Sequence, residues 1–198
     1  MKGNLFGLIV IGFVIAICIK MFLDSDFYNL SCIVSTVDGN KYCVRVKDDL
    51  KHQETVDLLA KVTNRCKRVV KYMDKHYGNR DNVKKLVKNF NPKKVKEILP
   101  TSEFTAYSEN KGEKLAFCTT TKKDGGHLID ENTLTFVALH ELSHIMTTSI
   151  GHTDEFWSNF KFMLDCAKKA GEYKPIDYKK NPKTYCGMKI TDNPYYDL

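Results

Sequence analysis

The chain lacks the closely paired cysteines from which many small zinc sites are built. Its seven cysteines include no C-x-x-C pair, so a zinc site made of cysteines is not expected. Internal repeats and low-complexity segments are also absent. The 42% hydrophobic and 28% charged residues are typical of a globular protein rather than a disordered one. The 198 residues leave room for one compact domain and an anchor, but not for two domains.

Acidic residues are absent from the start of the chain, which contains a long apolar run. From Leu5 to Leu23 the only charge is Lys20, and a helix rising about 1.5 Å per residue would cross the roughly 30 Å hydrocarbon core there. The following residues lack a small-x-small cleavage site, so we expect residues 1–25 to be an uncleaved transmembrane anchor rather than a signal peptide. Lys2 before the span and two aspartates after it favour a cytosolic N-terminus, with the domain on the opposite side.

Positive charge is in modest excess and is not clustered. The formal net charge is +7, and the lysines are spread along the chain. We interpret them as a solvated surface, and binding to nucleic acid or to an anionic membrane surface is the less favoured alternative.

The remainder, residues 26–198, has the alternating strand and helix patterns of one α+β domain. A β-hairpin is expected around Asp38-Gly39-Asn40, with Cys32 and Cys43 on opposite arms and within reach of a disulfide. The other domain cysteines fit either further disulfides or small buried thiols.

Apolar spacing and turn residues predict the other elements of this domain. Helices are expected over 53–77, 82–89, 92–99, 132–148 and 154–170. Strands are expected over 104–108 and 114–120, a loop over 122–132, and a surface-wrapping tail over 172–198. Asp130 or Asn132 is expected to cap the fourth helix, and Thr153 the fifth.

The stretch with the clearest chemistry is His140-Glu141-Leu142-Ser143-His144. Residues four apart lie on one face of a helix, so His140 and His144 can bind one metal ion. Glu141 can then reach a metal-bound water without binding the metal, which is the HExxH arrangement of zinc peptidases. The alternative is that the two histidines form a polar patch on a surface helix.

A catalytic zinc ion takes three protein ligands and keeps one position open. We expect His152 to be the third ligand, because Gly151 allows the chain to reverse after the helix. Glu155 and Glu172 are the alternative ligands, since some zincins recruit a carboxylate from a later helix. His52, His76 and His127 lack ligand spacing and are expected to face solvent.

Peptide hydrolysis also needs a donor for the developing oxyanion and a surface that holds the substrate. The candidate donors are Tyr107, Tyr178, Tyr185 and His127. Either strand, 104–108 or 114–120, could hold an extended peptide by strand addition.

The run HELSHIMTTSIGHTDEFW resembles the compact zinc peptidases of the SprT-like and WLM-like group. In that group a third histidine is followed closely by an aromatic residue. The matching positions here are His140, Glu141, His144 and His152, with Phe156-Trp157 after them. Seven residues separate His144 from His152, where metzincins have five.

A wider resemblance covers about residues 30 to 194. The hairpin IVSTVDGNKYCVR, the segment 106–114 and the tail segment 185–191 are similar to membrane-anchored predicted metallopeptidases encoded by large DNA viruses. This resemblance implies a zincin-like α+β fold with a small antiparallel sheet, an HExxH helix and a bound Zn²⁺. It implies no particular substrate.

Together, these observations predict a single-pass zinc metallopeptidase in a host or virion internal membrane, acting on a peptide or protein substrate. Zn²⁺ would be held by His140, His144 and His152, with Glu141 as the general base. The alternative is a catalytically silent zincin-fold scaffolding protein of a viral membrane or capsid assembly. Glu141 separates the two, because a purely structural zinc site does not require it. A protease acting on DNA-crosslinked proteins is disfavoured by the anchor and the unclustered charge.

Overall fold

The structure, a computed structural model, describes residues 4–46 and 51–197. Lys2, one of the charges from which the orientation of the anchor is predicted, lies outside the described residues. The helices are α1 (Leu5–Leu23), α2 (Asp26–Asn29), α3 (His52–Tyr77), α4 (Asp81–Asn89), α5 (Glu131–Met146) and α6 (Asp154–Lys169). A short 3₁₀ helix follows at Pro194–Tyr196.

The strands form one five-stranded sheet and two small hairpins. They are β1 (Leu30–Val34), β2 (Lys41–Arg45), β3 (Val95–Glu97), β4 (Ala106–Glu109), β5 (Lys114–Phe117), β6 (Thr120–Lys122), β7 (Gly125–Leu128), β8 (Lys183–Tyr185) and β9 (Met188–Ile190). The order across the main sheet is β1-β2-β3-β5-β4, which makes β4 an edge strand. Strands β6 and β7 form one hairpin, and β8 and β9 form the other.

The architecture is mixed α and β with a small sheet, as predicted, but the sheet is not antiparallel. Strand β3 runs parallel to both β2 and β5, whereas β1 and β4 pair antiparallel with their neighbours. The connection accounts for the β2–β3 pairing, because α3 and α4 lie between these strands in the chain and such a crossover returns the chain in the same direction.

Two further predictions from local pattern are wrong. Residues 92–99 were expected to be helical, but Val95–Glu97 form β3. The expected loop at 122–132 contains β7, paired with β6. The other predicted helices and strands are confirmed, with boundaries that differ by one to three residues.

The core lies between the sheet and the helices α3, α5 and α6. Helix α3 places a stripe of buried residues against β2 and α5 along its length, including Val56, Leu59, Val69 and Met73. Helix α5 is more deeply enclosed, because it contacts α3, α4 and α6 as well as β4. Twelve of its sixteen residues are buried, so its backbone is held on nearly all sides.

A buried ion pair connects the middle of the sheet to the β6–β7 hairpin. Glu97 accepts hydrogen bonds from the backbone N–H of Arg45 (2.8 Å), from its Nε (2.7 Å) and from the hydroxyl of Thr119 (2.6 Å). The guanidinium also donates to the carbonyl of Lys123 and to the hydroxyl of Thr120. Because both charges are buried, each depends on the other for compensation.

Two disulfides and two buried thiols account for the six cysteines of the domain. Cys32 pairs with Cys43 across the β1–β2 hairpin, as expected from their positions on its two arms. Cys118 pairs with Cys186, which attaches the tail hairpin to the end of β5. Cys66 and Cys166 are buried free thiols. Burial raises the pKa of Cys66 to about 12 and that of Cys166 to about 11, which keeps both protonated and unreactive.

Within residues 4–46 and 51–197, α1 is the one helix long and apolar enough to cross a membrane. Its apolar segment Phe6–Leu23 has no buried residue, unlike the core helix of a globular protein. A signal sequence shares this length and composition. The helix joins the domain through a hydrogen-bonded turn: Ser25 caps α2, and the Asn29 amide donates to the carbonyls of Leu23 and Ser25.

We predict that Glu97→Gln lowers the free energy of unfolding by about 3 kcal/mol, because it leaves the buried Arg45 guanidinium without a counter-charge. Urea denaturation of residues 26–198 followed by circular dichroism measures the change. The matched control is Glu113→Gln, which alters an exposed pair with Lys94 and should cost less than about 1 kcal/mol. Equal costs for the two variants would contradict the structural role given to the buried pair.

Candidate metal centre and catalytic cleft

Helix α5 presents two histidines on the same face. Asp130 caps its first turn by accepting a hydrogen bond from the backbone N–H of Thr133 (2.9 Å). Of the two residues predicted as alternatives for this cap, Asp130 and Asn132, the first is confirmed. His140 and His144 lie one turn apart near the other end, with ring centroids 5.0 Å from each other. Both rings are partly buried and most residues of α5 are buried, so α5 is not the surface helix that the polar-patch alternative requires.

The chain then reverses and returns a third imidazole to the same place. Gly151 has φ of 84°, a left-handed conformation that a side chain would strain. His152 follows it, and its Nε2 lies 3.0 Å from Nε2 of His140. One ring nitrogen of each of the three histidines lies within 4.8 Å of the others. The predicted trio is therefore brought together, and it could hold a metal ion.

The spacing of these nitrogens suits a small divalent ion. Nitrogens bound tetrahedrally at roughly 2.0–2.1 Å from a zinc ion lie about 3.3 Å apart. One observed spacing is 3.0 Å and none exceeds 4.8 Å, so the three rings lie close enough together to contact one ion. Helix α6 fixes the rings from the other side, because Phe156 stacks on His144 with centroids 4.3 Å apart and Phe160 meets the edge of His140.

Burial keeps two of the three imidazoles neutral. Desolvation, together with the neighbouring imidazoles, lowers the pKa of His140 to about 3. Desolvation is also the main cause that lowers the pKa of His144 to about 4, with contributions from His152 and Lys111. Neutral imidazole is the form that binds metals, so His140 and His144 are in the ligating state at neutral pH.

Glu141 lies beside the first histidine in a desolvated position. Only 7% of its surface is exposed, and burial raises the pKa of its carboxyl to about 7. It lines the same cleft as the three histidines. A carboxyl group poised near neutral pH can both accept and return a proton, which is what general acid–base catalysis requires.

The cleft in front of the histidines is large and open, with a volume of about 1080 Å³. Its far wall is the segment from Ser102 to Glu109, which includes the edge strand β4. Of the two strands predicted to accept a peptide, β4 has no strand on its outer side among the residues that the structure describes, whereas β5 lies between β3 and β4 and is paired on both sides. A second cavity, of about 290 Å³, shares His140 and Glu141 with the main cleft as lining residues. Its walls include the apolar side chains of Phe136, Trp157 and Met188.

Glu155 and Glu172, the two alternative ligands, make other contacts in the structure. The Glu155 carboxylate accepts from the backbone N–H groups of Thr148 (2.8 Å) and Ser149 (3.0 Å), and these bonds lower its pKa to about 2. Glu172 forms an ion pair with Arg68. Neither carboxylate belongs to the histidine cluster.

The four candidate oxyanion donors lie in different places. Tyr107 lines the main cleft, and Tyr185 lines the second cavity while its hydroxyl donates to the carbonyl of Thr105 (3.0 Å). Tyr178 is buried with its ring against Phe136, and His127 is exposed on β7. Tyr107 is therefore the candidate best placed to reach a substrate in the main cleft.

Of the histidines expected to face solvent, His76 and His127 are exposed. His52 is not, because it is partly buried and its Nε2 lies 2.7 Å from the carbonyl oxygen of Arg45.

Sequence reasoning missed Lys111 and the second cavity. Lys111 lies in the turn between β4 and β5, and its ammonium reaches the loop that carries His152. The one available signal was a lysine at a turn position. The second cavity is partly walled by the tail hairpin, which the Cys118–Cys186 disulfide joins to a segment 68 residues away in the chain, and no local sequence pattern indicates that pairing.

We predict that Glu141→Gln stabilises the metal-free protein at about pH 8 and has little effect near pH 4.5. Because the folded-state pKa is raised from 4.5 to about 7, the unfolded chain ionises first as the pH rises, and the free energy of unfolding falls between pH 4.5 and 7 and stays lowered above pH 7. The gain at pH 8 should be on the order of 2–3 kcal/mol, and it vanishes where the carboxyl is protonated in both folded and unfolded states.

Urea unfolding in the presence of a chelator measures this difference across the pH range. The control is Glu103→Gln on the exposed rim of the cleft, which should show no such trend. A gain that is equal at both ends of the range would contradict the desolvation of Glu141.

Comparison with known proteins finds relatives among viruses. No protein-family model and no solved structure matches the chain. Uncharacterized protein R325 of Acanthamoeba polyphaga mimivirus is 27% identical over 174 residues, covering 87% of this chain and 83% of that protein. Uncharacterized protein 042R of Invertebrate iridescent virus 3 is 46% identical over 59 residues, covering 30% of this chain and 36% of that protein. Uncharacterized protein 136R of Invertebrate iridescent virus 6 is 38% identical over 74 residues, covering 37% of this chain and 40% of that protein. These similarities indicate a viral protein.

Proposed function

We propose that this chain is a membrane-anchored, zinc-dependent metallopeptidase with a zincin-like fold, of the viral type that its sequence resembles. The observation that carries the proposal is the convergence of His140, His144 and His152 beside the buried carboxyl of Glu141, at the wall of an open cleft. A metal site with only a structural role is normally closed by four protein ligands. Here three ligands face a cleft wide enough for a polypeptide.

The donor set favours zinc. Three imidazole nitrogens are borderline-soft ligands, which suit zinc better than the oxygen-seeking calcium and magnesium ions. Zinc, when bound, would supply a Lewis acid that activates a water molecule and polarises the peptide carbonyl.

Residues of the chain would carry out the other steps of the reaction. His140, His144 and His152 would hold the ion. Glu141 would accept the proton released by the attacking water and deliver it to the nitrogen of the leaving amine. Its burial supports this role, because a pKa near 7 suits both the uptake and the return of the proton. Tyr107 is the donor proposed to stabilise the developing oxyanion.

The substrate is proposed to be an extended segment of polypeptide. The outer edge of β4 borders the cleft, so a peptide could pair with it by main-chain hydrogen bonds. This mode of binding requires an unfolded or extended segment, since a folded helix presents no free backbone groups to the strand.

Helix α1 is proposed to anchor the domain in a host or virion internal membrane. The short turn at Asp24 and Ser25 leads directly into α2 and β1, which leaves no long linker between the span and the domain. The two disulfides fit a domain on the oxidising side of that membrane, in agreement with the orientation expected from the flanking charges.

We predict that the purified chain in detergent contains one zinc ion and cleaves an unfolded protein, and that Glu141→Gln retains the zinc but loses about 10²- to 10⁴-fold in rate. Elemental analysis gives the zinc content, and mass spectrometry of the digest gives the cleavage. His144→Ala should lose both metal and activity, because it removes a ligand. The matched control is His127→Ala, an exposed histidine outside the cluster, which should lose neither.

Absence of zinc from the wild type would overturn the proposal. Zinc in both wild type and Glu141→Gln, with cleavage by neither across a panel of unfolded proteins, would favour the scaffolding function instead.

A further inference from the structure

The loop that carries His152 is held from two sides by charged side chains. It spans residues 147–153, between the end of α5 and the start of α6. A ligand on a loop is positioned less well than one on a helix, so the third imidazole needs support that His140 and His144 obtain from α5.

Lys111 supports one side of this loop. Its ammonium group donates to the carbonyl oxygens of Thr147 (2.8 Å), Thr148 (3.1 Å) and Ser149 (3.3 Å). An ammonium group has three N–H donors and no acceptor, so these three carbonyls satisfy it completely. They include groups at the C-terminal end of α5, where carbonyls lack helical partners and a positive charge is stabilising.

Glu155 supports the other side. Its two carboxylate oxygens accept from the backbone N–H groups of Thr148 and Ser149, the same residues whose carbonyls face Lys111. The hydroxyl of Ser149 also lies 2.6 Å from that of Thr153, which caps α6. Both polar faces of these peptide groups are therefore occupied by a charged partner.

The backbone of the β4–β5 turn is shaped to deliver Lys111. Asn110 and Lys111 have φ of 48° and 54°, conformations that non-glycine residues rarely adopt. Gly112, with φ of 111°, packs so closely that an added Cβ would lie 2.7 Å from the carbonyl oxygen of Asn89 and 2.8 Å from Ile145. Such strain persists where the surroundings require it, and here it brings the lysine against the end of α5.

We propose that Lys111 is a positioning residue for the third metal ligand: with Glu155 opposite, it fixes the 147–153 loop so that His152 meets His140 and His144. This inference rests on the metal site of the proposed function. It assigns to Lys111 no contact with the metal or the substrate, and its action passes through the backbone of the loop. Outer groups that orient a ligand typically contribute about 10- to 100-fold to metal affinity.

The test uses the full chain in detergent, with zinc affinity measured by competition against a chelator. Lys111→Met should weaken zinc binding by about 10- to 100-fold, and Lys111→Arg, which keeps the charge and several donors, should restore most of it. The matched control is Lys114→Met in the same hairpin, where the lysine pairs with Glu109 and does not touch the loop. The visible absorption of the cobalt-substituted protein, which reports on coordination geometry, should change in Lys111→Met but not in Lys114→Met.

A second variant guards against a folding defect. Glu155→Ala should weaken zinc binding in the same direction without altering the β4–β5 turn. Wild-type zinc affinity and an unchanged cobalt spectrum in Lys111→Met would overturn the inference while leaving the proposed function intact. A wild type that binds no zinc would overturn both.

Discussion

Helix α5 is packed against other elements on nearly all sides, and this packing sets where the candidate metal ligands lie. This helix is buried against α3, α4, α6 and β4, so the directions of His140, Glu141 and His144 are set by the core rather than by a surface loop. The same burial removes water from these groups, lowering the pKa of the histidines and raising that of the glutamate. Removing water from the side chains of His140, Glu141 and His144 lowers the stability of the folded protein, and the apolar contacts of the same helix offset this cost.

Two attachments shape the cleft around this fixed helix. On one side, the Lys111 and Glu155 contacts hold the loop that returns His152 to the cluster. On the other side, the Cys118–Cys186 disulfide holds the tail hairpin, so that Met188 lines both the main cleft and the second cavity. Neither attachment is formed by side chains of α5, yet both determine the shape of the cleft in front of this helix. The cluster is therefore a product of long-range contacts built on one local helical spacing.

The parts of the site that follow local rules could be predicted from the sequence. The four-residue spacing of His140 and His144 puts them on one face of any helix, and a glycine at position 151 permits the reversal that brings His152 back. The caps of α5 and α6 likewise follow from single residues, Asp130 and Thr153. For the same reason the hairpin carrying Cys32 and Cys43 was predictable from its Asp-Gly turn.

The rest depends on pairings between distant residues. Residues 95–97 have a composition compatible with a helix, and they become a strand because β2 and β5 flank them on both sides. Parallel pairing of β3 with β2 follows from the α3–α4 crossover, which no local pattern encodes. The function of Lys111 is invisible in the sequence, since its three carbonyl partners lie more than thirty residues away.

The proposed function requires that three histidines hold a zinc ion and leave one coordination position open. X-ray absorption spectroscopy of the zinc-loaded chain is the sharpest test, because it reports the number and kind of ligands around the metal. We predict three imidazole nitrogens at about 2.0 Å and one further oxygen from water. A closed shell of four protein ligands, or a shell containing sulfur, would contradict it.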